Sequence, residues 1–448
     1  MLTGGFGWME SDADEASVPA APTMVSPQAD AAIQMVVAMK SWAGAEAMGA
    51  GLSSLDPLRA QGTLERLSFA IAARWMGDDA AASDMMHALE AELPQDALVQ
   101  QVKACLAQAA TMGSPDSGAS SSMPEGRDAA HALPEGVTRD TLAPLGASAS
   151  LLESMATDDA ALGAQVAERA TRIAISVVGF FGIAFVALAV GVVTLVILSV
   201  KASSGAPMSR LAPTLLGHQA IHIELFAAWV VYEVVLGVVA SRADLGGLGT
   251  IGVITFQALG LLALAWPIMR GMPWNELRRE LGLTMGAGLV REAAWGVLAW
   301  CMAVPMVLVG LVLSLLLGWL FGGSLSDASH PLQEGLRSSS AGGIVIWYLV
   351  AAVVAPVLEE ILFRGGLYRG LRGATGYSLW ESMVVSALLS SLVFAAIHPQ
   401  GILFVPILGA LAMSFCLVRE LRGSLVAPMV GHALNNGLFV TLNLMLLK

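Results

Sequence analysis

Apolar residues change their spacing along this chain, and the change divides it. From about Gln28 to Ala110 they recur every three or four positions. Ile33-Val36-Val37-Met39, Leu64-Leu67-Ile71-Trp75 and Met85-Met86-Leu89 are examples, and this spacing predicts amphipathic helices. Gly77, Pro94 and the Ser53-Ser54 pair break the stretch into three or four helices of ordinary length. Residues 28–111 therefore read as a small, acidic, soluble helical domain. A helical-repeat adaptor is the competing reading, but no segment matches another at a fixed period. Residues 1–27, rich in Pro, Ala, Ser and acid, are expected to be disordered. The run at 112–136 is rich in Ser, Gly and Pro, so 112–147 reads as a flexible linker, with a connecting helix over 148–169.

Beyond residue 170 the apolar runs become nearly continuous. They are Ile173–Val200, Leu225–Ala240, Ile251–Ile268, Ala293–Phe321, Ala341–Leu358, Leu379–Ile397, Ile402–Val418 and Leu425–Leu447. The two shortest, Leu225–Ala240 and Ile402–Val418, are clearly short of the ~20 residues that a spanning helix needs. The fold class expected is all-α: a polytopic membrane bundle of about eight transmembrane helices over 170–448, preceded by the soluble helical domain and linker.

Composition sharpens this division. Of the 448 residues 56% are hydrophobic and 13% charged, and the net charge is −12. Residues 1–165 carry 22 acidic and 7 basic side chains, leaving 13 and 16 for the rest, so the acidity belongs to the front segment. No basic stripe points to nucleic acid. Cys105, Cys301 and Cys416 are far apart and give neither a metal knuckle nor a disulfide framework. Acidic residues appear by position 15 with no apolar stretch before them, so no signal peptide is expected. Arg278, Arg279, Arg369, Arg372, Arg419 and Arg422 dominate the connections on one side of the bundle. By the positive-inside rule these face the cytoplasm and put the head outside. A long head lacking a signal peptide would instead stay in the cytoplasm, and both placements stay open.

Candidate chemistry is concentrated in the last four runs. Glu359, Glu360 and Arg364 end one of them, although a charge at hydrocarbon depth costs roughly 2.5–3.5 kcal/mol on insertion scales. Two adjacent carboxylates cannot both ionise cheaply there, so one needs a proton or a cationic partner. A helix-capping or interfacial Glu–Arg network would also account for them. His398 ends the next run just before Pro399, a position equally suited to a membrane interface. His432 and Asn436 are four residues apart on one helix face, where packing hydrogen bonds between helices are the plain alternative. Taken together these are hydrolytic groups. A glutamate can take a proton from water, and a histidine can hold or share it. An asparagine amide and a second histidine can stabilise an oxyanion.

Glu359-Glu360-x-x-x-Arg364, Phe394-x-x-x-His398 and His432-x-x-x-Asn436, in that order on successive apolar helices, resemble the CAAX protease and bacteriocin-processing family (CPBP, Abi) of glutamate-type intramembrane proteases. The likeness covers about 170–448 and is densest over 340–448. It implies an eight-helix bundle around a conical cavity that opens to one side of the membrane. It further implies Glu359 as the water-activating residue with His398 beside it, His432 and Asn436 as the oxyanion site, and Glu360 and Arg364 as support. By this resemblance the chain is a metal-independent endopeptidase with no cofactor. It acts on peptide or membrane-protein substrates within the lipid bilayer. The head lies outside the resemblance; a protein partner for it is a separate expectation, and the lack of a eukaryotic targeting signal together with the Ala/Met-rich head favours a bacterial inner membrane. The prenyl substrate of eukaryotic members is not carried over.

Other readings remain. A metal-dependent intramembrane protease would normally show H-E-x-x-H, which is missing, although two histidines and a glutamate can hold a metal. A proton-coupled transporter would make use of Glu233, which lies inside an apolar run and outside the three motifs. A non-catalytic immunity or scaffold protein would act through its head.

Overall fold

A computed structural model describes residues 24–43, 48–112, 132–206, 208–211, 217–242, 258–322, 339–374 and 379–447, with residues 252, 255 and 336 singly. Among the described residues every regular element is helical. The chain divides into two units, one within 14–180 and one within 181–444. Most of the N-terminal stretch expected to be disordered, residues 1–23, lies outside the described residues, as do 113–131 of the expected linker.

The first unit is built from helices Pro27–Ala43, Met48–Ser54, Thr63–Met76, Asp79–Glu92 and Ala97–Met112. Its core gathers Ile33, Val36, Val37, Leu67, Ile71, Met85, Met86 and Leu89, the periodic residues that predict these helices. Local chemistry sets the breaks. Gly77 ends one helix in the left-handed region at φ 92°, and the Asp78 carboxylate caps the next by accepting from Ala81 N at 2.9 Å. Val137, Leu142 and Leu145, which lie inside the expected linker 112–147, are buried in the same core, so this end of it is folded. There Thr138 and Thr141 form a reciprocal cap that starts the short helix Arg139–Leu142.

In the second unit five helices are long and apolar enough to cross a membrane: Ala160–Ser203 (begun in the first unit), His218–Val239, Leu289–Phe321, Ala341–Ala374 and Ile402–Arg422. Gly260–Met269 and Trp380–Ala396 are apolar but shorter. The last helix, Val426–Leu447, has 22 residues, but His432, Asn435, Asn436 and Asn443 lower its mean hydropathy. The count of eight spans is thus not reached among the described residues, although a multi-pass bundle is. Helices approach closely where glycine permits it. A Cβ on Gly296 would lie 2.8 Å from Ala427 O, so the last helix packs directly on Leu289–Phe321. A Cβ on Gly370 would meet Gln219 O at 3.0 Å, which seats His218–Arg242 against the Glu-Glu helix.

The arginines that dominate the positive-inside count have unequal fates. Arg422 pairs with buried Glu292 at 2.6 Å and Arg372 with buried Glu420 at 3.0 Å. Buried Arg419 donates to Glu280 O at 2.9 Å, and Arg369 is also buried. Only Arg278 and Arg279 of the six are exposed. Glu233 is buried as well, with the Trp229 indole four residues earlier as a hydrogen-bond partner.

Candidate active site

The Glu-Glu helix is not uniformly α. Two π-helical stretches, Val350–Val354 and Glu360–Leu367, flank the α segment Ala355–Glu359. Such bulges cluster at functional sites because they widen the turn and strand backbone groups. In the first stretch Ala355 N–H bonds to Val350 O, five residues back. In that register the donor due to Ala351 O is residue 356, a proline without an N–H. Asn436 supplies it: its Nδ2 donates to Ala351 O at 2.9 Å.

The second stretch carries the charges. Glu359 is 5% exposed, Glu360 0%, Arg364 1% and His432 3%, so four ionisable groups share one desolvated space. Glu360 Oε1 accepts from Arg364 Nη1 at 2.8 Å and from His432 Nδ1 at 2.8 Å. Arg364 Nη2 also donates to Ala412 O at 3.0 Å, which ties the motif helix to Val405–Arg422. With Glu360 Oε1 as acceptor, His432 donates from Nδ1, and its Nε2 is turned toward Glu359 Oε2 at 3.6 Å. Neither carboxylate oxygen of Glu359 has a hydrogen-bond partner among the described residues. The two glutamates are therefore unequal. Glu360 is engaged twice through Oε1, its Oε2 having no partner among the described residues, and Glu359 faces an imidazole with both oxygens uncommitted.

Aromatic rings fix these groups. His432 stacks on Phe415 with centroids 5.2 Å apart and 22° between planes, and it meets the Phe394 ring edge-on at 5.9 Å. The Arg364 guanidinium lies over Phe394 at 4.9 Å and over Phe415 at 5.3 Å. His398 is half-buried at the end of its helix. Its Nδ1 donates to Phe394 O at 2.6 Å, and its ring lies 4.3 Å from the Phe394 ring. Of the residues singled out in the sequence, Glu359, Glu360, Arg364 and His432 meet directly. His398 reaches them through Phe394, and Asn436 is bonded to the motif helix. Phe415, Ala412 and the Pro356–Ala351 pair escaped the sequence reading. Phe415 sits in a run of ordinary apolar residues, and a π register leaves no trace in residue spacing. Among the described residues no group of three or more His, Cys, Asp or Glu is arranged to hold a metal.

A second buried polar knot lies behind the motif helix. Glu280 is clamped by His218 Nδ1 at 2.9 Å and His222 Nε2 at 2.9 Å, two histidines one turn apart. Burial pushes the Glu280 carboxyl up, but the hydrogen bonds from His222 and His218 outweigh it and hold the group below its ordinary 4.5.

Comparison with known proteins points to the same part of the chain. Residues 341–438 match the pattern of the type II CAAX prenyl endopeptidase Rce1-like family. The membrane-embedded CAAX protease MroQ of Staphylococcus aureus (strain USA300) is 27% identical over 150 residues, covering 32% of this chain and 59% of that protein. An uncharacterized 24.3 kDa protein of Escherichia coli is 28% identical over 117 residues, 25% of this chain and 52% of its own length. The chain thus spans between half and three-fifths of the curated relatives it matches. No solved structure matches it. The matched segment holds Glu359, Glu360, Arg364, His398, His432 and Asn436, and over this segment the membrane chain is similar to the Rce1-like CAAX endopeptidase family.

Proposed function

We propose that the chain is an intramembrane endopeptidase that hydrolyses peptide bonds of membrane-associated or peptide substrates, with Glu359 as the general base. The observation that carries the reading is the unequal glutamate pair. Glu360 is neutralised by Arg364 and His432, while Glu359 is buried, uncommitted and 3.6 Å from His432 Nε2.

Glu359 takes a proton from water as the oxygen attacks the scissile carbonyl carbon. The C–N bond then breaks, and the proton held between Glu359 and His432 passes to the leaving amine. In this arrangement His432 is the imidazole beside the base, held in its tautomer by Glu360. His398 is the second imidazole, at the edge of the site. Asn436 is a positioning residue first; it becomes an oxyanion donor only when it exchanges Ala351 O for the substrate. The chemistry is assigned to glutamate and needs no metal.

The test is hydrolysis by the full-length protein reconstituted in vesicles. Its substrates are peptides that accumulate uncut in cells carrying Glu359→Gln. Glu359→Gln is expected to insert and melt like the wild type yet lose at least 10³-fold in rate, while exhaustive chelation leaves the wild type active. Wild-type cleavage by Glu359→Gln would overturn the assignment. Loss of activity on chelation with recovery on added zinc would replace it by a metal mechanism.

A further inference from the structure

The segment between Trp274 and Glu292 segregates its charges. Its helix, Trp274–Leu281, turns Leu277 and Leu281 into a core with Ile221, Leu225 and Met272. Its acids are drawn inward as well. Glu280 is held by His218 and His222, Glu292 by Arg422, and Glu276 is only half-buried. Arg278, Arg279 and Arg291 are all exposed, and none is in an ion pair among the described residues. Exposed apolar side chains lie beside them: Trp274 at 49%, Met285 at 67%, Leu289 at 55% and Val290 at 86%. The segment leads directly into the span Leu289–Phe321, which places it at the depth of a membrane interface.

We infer that this face is a docking surface for anionic phospholipid headgroups, with Arg278, Arg279 and Arg291 on the phosphates and Trp274, Leu289 and Val290 seated at the acyl boundary. Charge complementarity selects the occupant. A water-facing helix would expose its acids alongside its arginines, and a zwitterionic surface would give three unpaired guanidiniums no net attraction. The inner face of the segment gives the contact a consequence. A Cβ on Gly365 would lie 3.2 Å from Leu281 O, so this helix rests on the π segment that holds Glu360 and Arg364. Lipid seated on the outer face thereby steadies the helix against which the catalytic segment packs.

The experiment is native mass spectrometry of the full-length protein in detergent, titrated with phosphatidylglycerol or with phosphatidylcholine of the same acyl chains. Wild type is expected to retain phosphatidylglycerol preferentially, and the preference should fall as salt is raised. Each arginine near the surface is worth about fivefold, so Arg278→Gln with Arg279→Gln is expected to lose roughly 25-fold in phosphatidylglycerol retention and nothing in phosphatidylcholine retention. Arg278→Lys with Arg279→Lys should keep most of it. Equal retention of the two lipids by wild type, or an undiminished preference in the double Gln variant, would overturn the inference. A second readout rests on the protease reading: peptide hydrolysis should be faster in vesicles containing phosphatidylglycerol, and the double Gln variant should lose that gain. Lipid retention is measured without substrate, so failure of the protease reading leaves this inference separately testable.

Discussion

Glu360 Oε1 carries two donors, Arg364 and His432, in a space from which water is almost excluded. Removing one partner of a buried ionic pair leaves the other charge uncompensated, a loss of about 3–5 kcal/mol. Arg364→Ala is therefore expected to unfold the bundle at markedly lower temperature, because Glu360 loses its cationic partner and Ala412 O loses the Arg364 donor together. Glu360→Gln keeps the shape and accepts from both partners through its amide oxygen. It should melt close to wild type and act through His432, lowering kcat and shifting the alkaline or acid limb of its pH profile. Thermal melting and pH–rate profiles of the two variants check this; indistinguishable behaviour would mean that Arg364 does not depend on Glu360. Residue types and spacing made the glutamates, Arg364, His432 and Asn436 visible in the sequence. Which glutamate is engaged was implied only by the family resemblance and not by the spacing, because it depends on a histidine 72 residues away.

At the scale of the element, the motif helix is defined by its two π stretches. Pro356 and Asn436 form a unit: the proline withholds an N–H from Ala351 O, and the asparagine provides one. A buried carbonyl left without a donor costs about 1–3 kcal/mol, so Asn436→Ala should be destabilised by that amount as well as slowed. Pro356→Ala offers a backbone N–H in the same place and should therefore soften the effect of Asn436→Ala on melting. A double-mutant cycle measures the coupling, and strict additivity would detach the two residues. A loss of rate in Asn436→Ala with unchanged melting would instead return Asn436 to an oxyanion role. The sequence supplied His432 and Asn436 as one helix face, but not the acceptor. Three- and four-residue spacing carries no mark of where a helix slips into a wider turn.

At the scale of the whole molecule, buried ion pairs fasten helices that are distant in sequence. Glu292 meets Arg422, Glu420 meets Arg372, and Glu280 meets two histidines 58 and 62 residues earlier. His218 and His222 share a helix face, which is legible from their spacing, but their partner lies on another helix and is not. The first unit shows the same limit. Its periodic residues mark its core, whereas Val137, Leu142 and Leu145 join it from beyond a Ser- and Gly-rich run that hides their destination. The Glu280 knot makes a pH prediction. Its carboxyl is held below 4.5, so its contribution is complete above the unfolded value and is lost as pH falls through the depressed folded value. Glu280→Gln should flatten the decline of melting temperature below about pH 4 relative to wild type. An identical acid limb would show that the knot does not govern it.

The buried arginines have one more consequence, in the order of events during biogenesis. Insertion reads Lys and Arg while the helices are still being threaded, before any partner carboxylate is in place. Arg372, Arg419 and Arg422 are then drawn inside the finished bundle, two onto carboxylates and one onto a backbone carbonyl, leaving Arg278 and Arg279 outside. If the positive-inside rule sets the orientation of this chain, the same three guanidiniums serve first as address labels and afterwards as rivets. A variant that loses Glu292 or Glu420 should still arrive in the membrane the right way up, and fail only later, when the helices come together.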